Sequence, residues 1–505
     1  MQGETSGKAL SPAFRWAAIA CLGLGALLRG YDFDAHPLWI DEYGTSWVVA
    51  AENLAGVWER ALAIQGQSPL YYLVVRGFVD ALGDSSQAMR LPSLLAGVGL
   101  LAAGYWMALR LFGDPRVALG SLAALALDER LIFYSQNARP YALALLCACL
   151  SFGLYARLLV DPRWRVRIAW LLASAATYYL HYLFGVALLA QLLHCVLRRP
   201  RSAARLRADA GGFALLAALL SPGFVQLAAL HARRHVLDWV PASQEAWAGL
   251  QLALSFFDLR VLGAVGAGLA LALLLERPRT LRIARSGLAV TTLWFGVPLL
   301  VVSLGSLWLD VNLLHPRYVA VVIPAVALLW GAALALPSNP RWSGGLLGIF
   351  VIASVLWGVL PMREGNGVFD HWYRAQHWQS ATLRLAEESR AGDLVLYGTR
   401  FVESDAVTRG EAPSHLSDFV SWPVRAHLPD DASLRLRALP FRYSPGTVGP
   451  LLLEMQGART RIWIIGLADA FAPLLPRAAR QLGLEVKSHE EHGSIHLLRL
   501  GRGAP

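Results

Sequence analysis

Along the first 360 residues apolar positions come in long, nearly unbroken blocks, and beyond them they shrink to short runs set among charges. A helix that crosses a bilayer needs about 20 predominantly apolar residues. Eleven blocks approach that length, at 11–28, 91–112, 117–134, 142–160, 166–181, 183–197, 212–230, 258–275, 287–304, 318–336 and 343–360. The first runs into "LLRGYDFD" with no small-residue cleavage pattern, so it is expected to stay as a span. One further apolar segment, "SPLYYLVVRGFVDALG", carries Arg76 and Asp80 and is too short to cross. It reads as an interfacial or re-entrant helix in a long first outer loop, residues 29–90. After residue 360 the strand-length runs "DLVLYG", "RIWIIG" and "IHLLRL" alternate with "WQSATLRLAEESR" and "APLLPRAARQLG", which have helical spacing. The pattern predicts a polytopic α-helical membrane protein of about 11 transmembrane helices (residues 1–360) followed by a C-terminal soluble α/β domain (residues 361–505).

Composition agrees: 56% of the 505 residues are hydrophobic and 16% charged. A net charge of +10 could indicate nucleic acid, but the arginines cluster in short loops between apolar blocks, which is how membrane topology is encoded. Nucleic acid is therefore not an expected partner. The four cysteines, Cys21, Cys147, Cys149 and Cys195, lie inside apolar blocks and predict neither a disulfide framework nor a zinc site. No glycine-rich dinucleotide fingerprint or P-loop occurs in the C-terminal region.

The basic loops "DPRWRVR", "RRPRSAARLR" and "ERPRTLRIAR" follow the fourth, sixth and eighth blocks. With the N-terminus inside, all three are cytoplasmic, as the positive-inside rule requires. The opposite, periplasmic side then receives residues 29–90, "YSQNARPY", the turn at His181, "HARRHVLDW", "LDVNLLHPRY" and the C-terminal domain. A bacterial inner membrane is the expected location.

Nearly all the chemically useful polar residues fall on that outer side: Asp41 and Glu42, then Arg139, then His181 and Tyr182, then Arg233, Arg234, His235 and Asp238, and finally His315, Arg317 and Tyr318. Arginine's planar fork suits a phosphate, and a basic cavity beside a bilayer suits a lipid phosphate. If that phosphate carried a sugar, transfer would need one carboxylate to take a proton from the acceptor hydroxyl and cations to stabilise the departing phosphate. Unlike glycoside hydrolysis, it needs no second carboxyl as acid. Adjacent helical residues point about 100° apart, so only one of Asp41 and Glu42 need face such a site. A transporter or flippase would be expected to show mid-span ionisable residues and matching halves. A catalytically silent sensor would leave the acidic pair without work.

The motifs "LWIDEYGTSW", "SPLYYLVVRGFVDALGDSSQAMRLPSLLAG", "FYSQNARPYAL", "HYLFG" and "HPRYVAVVIP" occur in an order that resembles the protein-mannosyltransferase and aminoarabinose-transferase-like branch of the type C glycosyltransferases, over residues 10 to about 335. The resemblance implies an inverting enzyme with a polyprenyl-phosphate sugar as donor, Asp41 as base with Glu42 its partner, and Arg139, Arg317, Tyr141 and Tyr318 on the lipid-phosphate side. It leaves His181, Tyr182, Arg233, Arg234, His235 and His315 as substrate-binding candidates. The acceptor would be a glycan, a lipid or a protein. Many relatives place an acidic residue in the second outer loop, where this chain has Asn137 and Tyr141; without it a hard divalent ion lacks oxygen ligands, so no cofactor is expected and a metal is disfavoured, with His181, His235 and Asp238 as the alternative ligands for one. A frequent "HPP" appears here as "QSP" at Gln67–Pro69, and Arg90 in "MRLPS" matches a family arginine.

Overall fold

The computed structural model describes residues 12–64, 68–198, 202–234, 247–276, 284–308, 313–366, 375–429, 432–458 and 460–502. They fall into two compact units, Met1–Phe33 with Gln65–Val368, and Asp34–Ile64 with Phe369–Pro505.

The first unit is helical among its described residues. Six helices are long and apolar enough to cross a bilayer: Pro12–Gly30, Ser86–Phe112, Tyr141–Val160, Arg285–Trp308, Pro316–Leu334 and Pro340–Arg363. Two bent pairs, Ala203–Leu220 with Pro222–Ala232 (50°) and Ala248–Leu254 with Leu259–Leu275 (65°), raise the number to eight. By length and composition, six to eight helices among the described residues qualify, because several of the eleven apolar blocks are built from shorter pieces. Local chemistry explains the breaks. The block 117–134 is cut at Asp128, whose carboxylate accepts from the N–H groups of Arg130 and Leu131 and so starts a new helix, Glu129–Ser135. The block 183–197 opens with a 3-10 segment, Tyr182–Ala187, before the ten-residue helix Leu188–Leu197. Helix Leu70–Leu82 has 13 residues, about 20 Å at 1.5 Å per residue. That is short of the roughly 30 Å hydrocarbon layer, which suits the interfacial reading.

Large apolar side chains such as Val225, Leu274 and Leu307 stand exposed on these helices, as lipid-facing residues do. Several inward positions carry hydrogen-bonded polar groups instead. Trp170 Nε1 donates to Gln191 Oε1 (2.7 Å), and Gln191 Nε2 donates to Ser151 Oγ (2.9 Å). Arg29 is fully buried and donates to the carbonyls of Gly25, Leu125 and Ala126, which ties the first helix to the end of helix Pro115–Leu127. The Leu125 and Ala126 carbonyls are among those that a helix C-terminus leaves without an intrahelical donor.

The second unit is α/β. Its five strands are β1 (Leu394–Gly398), β2 (Arg435–Ala438), β3 (Ile462–Leu467), β4 (Leu484–His492) and β5 (Ile495–Arg502), in the order β2-β1-β3-β5-β4. β1 pairs in parallel with β2 and β3, and β5 runs antiparallel to β3 and β4. β1 and β3 are buried throughout, which is why they read as unbroken apolar runs. Helices Trp378–Glu388, Ser414–Arg425, Pro445–Gly457 and Leu475–Leu482 cover the sheet.

Residues 34–64, read from sequence as part of the membrane domain's first loop, belong to this second unit. The reason lies in helix Ile40–Val49, which buries Tyr43, Trp47, Val48 and Val49. An apolar face of that size must be covered, and its partners lie more than 370 positions further along the chain.

Candidate active site

The acidic pair occupies the first turn of helix Ile40–Val49, where negative charge is favoured by the helix dipole. The two carboxylates are placed differently. Glu42 is fully buried, and its Oε2 accepts from the backbone N–H of Trp39 at 3.4 Å, a helix-capping contact. The next backbone donor, Ile40 N–H, goes to Oε1 of the buried Gln376 (3.0 Å). Asp41 is only half-buried. One carboxylate therefore serves the backbone and the other lies nearer the surface of its unit.

The rest of this helix is fastened to the C-terminal chain by side chains. Tyr43 Oη meets His427 Nε2 at 2.7 Å, Trp47 Nε1 donates to Asp418 Oδ2 at 2.9 Å, and Trp422 Nε1 donates to Ser46 Oγ at 3.1 Å. The Trp47 ring meets Phe419 edge-on at 5.3 Å, and the Arg60 guanidinium lies over it at 4.6 Å while donating to the Trp47 carbonyl. Burial holds the His427 imidazole below its ordinary pKa of 6.5.

In the first unit, Arg139, Tyr141, His181 and Arg317 come together. Arg139 lies in the turn before helix Tyr141–Val160; its N–H donates to the Asn137 carbonyl (2.8 Å) and its carbonyl accepts from Ser93 Oγ (3.1 Å). Asn137 Nδ2 donates to the Phe133 carbonyl (2.6 Å), a contact an aspartate could not make, so the missing acid of this loop has a local structural replacement. Tyr141 stacks on Tyr134 at 4.7 Å and lies 5.4 Å from His181, which in turn sits 4.2 Å from Phe184.

His181 occupies the bend between helix Trp164–Leu180 and the 3-10 segment. Burial, followed by the positive fields of Arg139 and Arg317, pulls its pKa down to about 3. The ring is therefore neutral at ordinary pH, and its buried Nδ1 has no hydrogen-bond partner among the described residues. A neutral imidazole flanked by two guanidinium groups can hydrogen-bond an anionic or hydroxylated ligand without adding charge. Arg317 and Tyr318 are half-buried in the 3-10 segment Pro316–Val322.

The remaining candidates have local duties. His315 caps that segment, its Nδ1 accepting from Arg317 N–H at 3.3 Å, and its ring meets Tyr318 edge-on. Tyr182 is buried, donates from its hydroxyl to Gln226 Oε1 (2.5 Å) and packs edge-on against Tyr178. Tyr178 fits closely because Gly185 and Gly223 flank it; a Cβ at either would lie 2.5 Å from its ring. Arg233 and Arg234 follow helix Pro222–Ala232, where Arg234 Nη1 reaches the His231 carbonyl and positive charge is favoured by the dipole. His235, Asp238 and Gln67 lie outside the described residues. Ser68 donates to the Tyr179 carbonyl (2.6 Å) and accepts from Leu70 N–H. Arg90, fully buried, donates to the Phe33 carbonyl.

Sequence reasoning missed Gln376, Asp418 and His427, the groups that hold the acid helix. It also missed Gln136, whose Nε2 donates to the carbonyls of Arg29 and Tyr31 and so fixes the turn that carries Arg139. Gln376, Asp418 and His427 stand in no motif quoted above; Gln136 does, within "FYSQNARPY", and that is its only signal. Among the described residues, Asp41 and Glu42 belong to no cluster of three metal-type ligands.

No protein-family model and no curated protein matches the chain. Solved structures do match. ArnT from Cupriavidus metallidurans in the apo state aligns with a TM-score of 0.56 at 12% identity, over 97% of this chain and 98% of that one. The same protein bound to undecaprenyl phosphate aligns at 0.52 and 13% identity, over 96% and 97%. Along almost the whole of both chains, then, this polytopic protein has the fold of ArnT, a type C glycosyltransferase.

Proposed function

We propose that the chain is an integral membrane glycosyltransferase that takes a sugar from a polyprenyl-phosphate carrier and transfers it, with inversion, to an acceptor hydroxyl of a protein, glycolipid or glycan on the periplasmic side of a bacterial inner membrane. The observation that carries this reading is the near full-length match to a fold solved with undecaprenyl phosphate bound. The cluster of Arg139, Arg317 and neutral His181 supports it with the donor set that a lipid phosphate and its sugar require.

In this reading Asp41 takes the proton from the acceptor hydroxyl, whose oxygen forms a bond to the anomeric carbon. The bond from that carbon to the phosphate oxygen breaks on the opposite face, and its electron pair leaves with the polyprenyl phosphate. One displacement gives inversion. Phosphate is a competent leaving group, so Arg139 and Arg317 need only hold it and stabilise its developing charge. Tyr141 and Tyr318 accompany them on the phosphate side, and the orphan nitrogen of His181 meets a sugar or phosphate oxygen. Glu42 keeps the acid helix closed at its N-terminus. The C-terminal domain, through Gln376, Asp418 and His427, positions that helix. Because the second outer loop supplies no carboxylate, the transfer proceeds without a metal ion.

The test is sugar release by purified protein from defined polyprenyl-phosphate sugars, with the matching nucleotide sugars as controls and chelator present throughout. Release from the lipid-linked donors alone is expected. Release from nucleotide sugars, or a requirement for added divalent metal, would overturn the donor or the metal part of the proposal.

A further inference from the structure

We propose that the β4–β5 hairpin of the second unit carries a metal site of the zinc class, with His489, Glu491 and His496 as its three protein ligands. His489 and Glu491 are two positions apart on β4 and so share a face, and Glu491 pairs directly with His496 on β5. Three ligand-type side chains from two strands therefore point the same way. Their donor atoms all lie within 4.8 Å of one another. His489 Nε2 and His496 Nδ1 are 2.8 Å apart, and Glu491 Oε1 is 3.9 Å from the first and 3.8 Å from the second.

A tetrahedral zinc ion with ligands at about 2.0–2.1 Å sets its donors roughly 3.3 Å apart, which lies between the shortest and longest of these separations. Closing the set needs the two ring nitrogens to part, and the carboxylate oxygen to approach, by roughly half an ångström each. At 2.8 Å the two nitrogens share one hydrogen bond in which one ring donates and the other accepts, whereas a cation would be met by the lone pairs of both rings and by the carboxylate. Two imidazoles and one carboxylate select a borderline transition metal; calcium and magnesium prefer oxygen-only sets.

The hairpin is built to hold such a site. A register shift between Val486 and Ser488 sets the phase of the outer half of β4, and the strands reverse through Gly493 (φ +63°) and Ser494. Leu497 and Leu498 anchor β5 in the core, and Phe471 contacts the His496 ring edge-on at 5.7 Å. His496 is mostly buried (17% exposed), while His489 and Glu491 stand at 43% and 65%. The ion would sit at the rim with its fourth position open to water or to an added ligand, cross-linking the edge strand β4 to β5.

The experiment uses full-length protein without an affinity tag, purified in detergent, stripped with chelator and titrated with Zn²⁺. The proposal expects one tight equivalent in the wild type. It expects at least roughly ten-fold weaker binding in His489→Ala/His496→Ala, and wild-type binding in His415→Ala, an exposed histidine elsewhere in the same unit. A zinc-dependent rise in melting temperature should accompany binding in the wild type and disappear in the double variant. Absence of a tight equivalent in the wild type would overturn the site. So would a double variant that is folded by its unchanged apo melting temperature and still binds as the wild type does.

Discussion

The two charged regions, the Arg139–His181–Arg317 cluster and the Asp41–Glu42 helix, are held by opposite means. The cluster depends on backbone held by backbone and small side chains: Ser93 on the Arg139 carbonyl, Asn137 on Phe133, Gln136 on residues 29 and 31, and a stack of rings behind them. The Nδ1 of the His181 imidazole takes no part in that network. The acid helix is instead hung from long side chains, Tyr43, Trp47 and Trp422, each hydrogen-bonded to a partner far along the sequence. Within an apolar helical bundle, backbone groups find partners locally because no water competes. In an α/β domain a short amphipathic helix must be fastened by its aromatic face. The second mode places an acid through tertiary contacts and should be the more easily disturbed.

The largest expected effect follows from that mode. Trp47 is buried, and Trp47→Ala should cost about 3–5 kcal/mol of the second unit's stability through the cavity and the lost indole bond to Asp418. Hydrogen exchange over Ile40–Val49 should accelerate, whereas Trp47→Phe should retain most of the protection. If the alanine variant leaves that helix as protected as before, the contrast in anchoring fails.

Next come the arginines. Hydrogen bonds to charged groups contribute about 1.5–3 kcal/mol, so Arg317→Ala and Arg139→Ala should each lower kcat/KM for a polyprenyl-phosphate sugar by roughly 10- to 100-fold. Lysine should restore only part of it, because it keeps the charge and loses the fork. Full rescue by lysine in both places would show that field alone matters there.

The smallest effect concerns pH. Burial lowers the pKa of His427 in the folded protein below its ordinary 6.5. The unfolded chain therefore binds a proton first as pH falls, so the stability that His427 contributes is complete above about 6.5 and is lost progressively as pH drops towards the folded-state pKa. Melting temperatures measured from pH 7.5 to 5 should fall more steeply in the wild type than in His427→Asn. Equal slopes would remove His427 from the account.

Much of this was legible in the sequence because it is periodic or composed in blocks. Apolar blocks gave the membrane class, and the buried strands β1, β3 and β5 stood out as "LVLYG", "IWIIG" and "IHLLRL". What was illegible is non-local or lies at an edge. β4, "LEVKSHEEH", and the four-residue β2 are outer strands, the first mostly exposed and the second only partly buried, so neither shows an apolar run. Where an apolar block is broken into shorter helices, hydropathy cannot see it, as with Asp128 starting a helix or the bend before Pro222. The motif around Asp41 was visible, but the capping role of Glu42 depends on its backbone partner. Residues 34–64 joined the C-terminal chain through contacts that leave no mark near position 40.

The most direct measurement compares Asp41→Asn and Glu42→Gln in the sugar-release assay, with melting temperatures recorded alongside. Loss of a general base should cost roughly 10² or more in turnover, so Asp41→Asn should fall by at least that factor at an unchanged melting temperature. Glu42→Gln, which retains an oxygen to accept from Trp39 N–H, should stay within a few-fold of wild type. Wild-type turnover in Asp41→Asn, or an equal collapse in a folded Glu42→Gln, would contradict the division of labour between the two carboxylates.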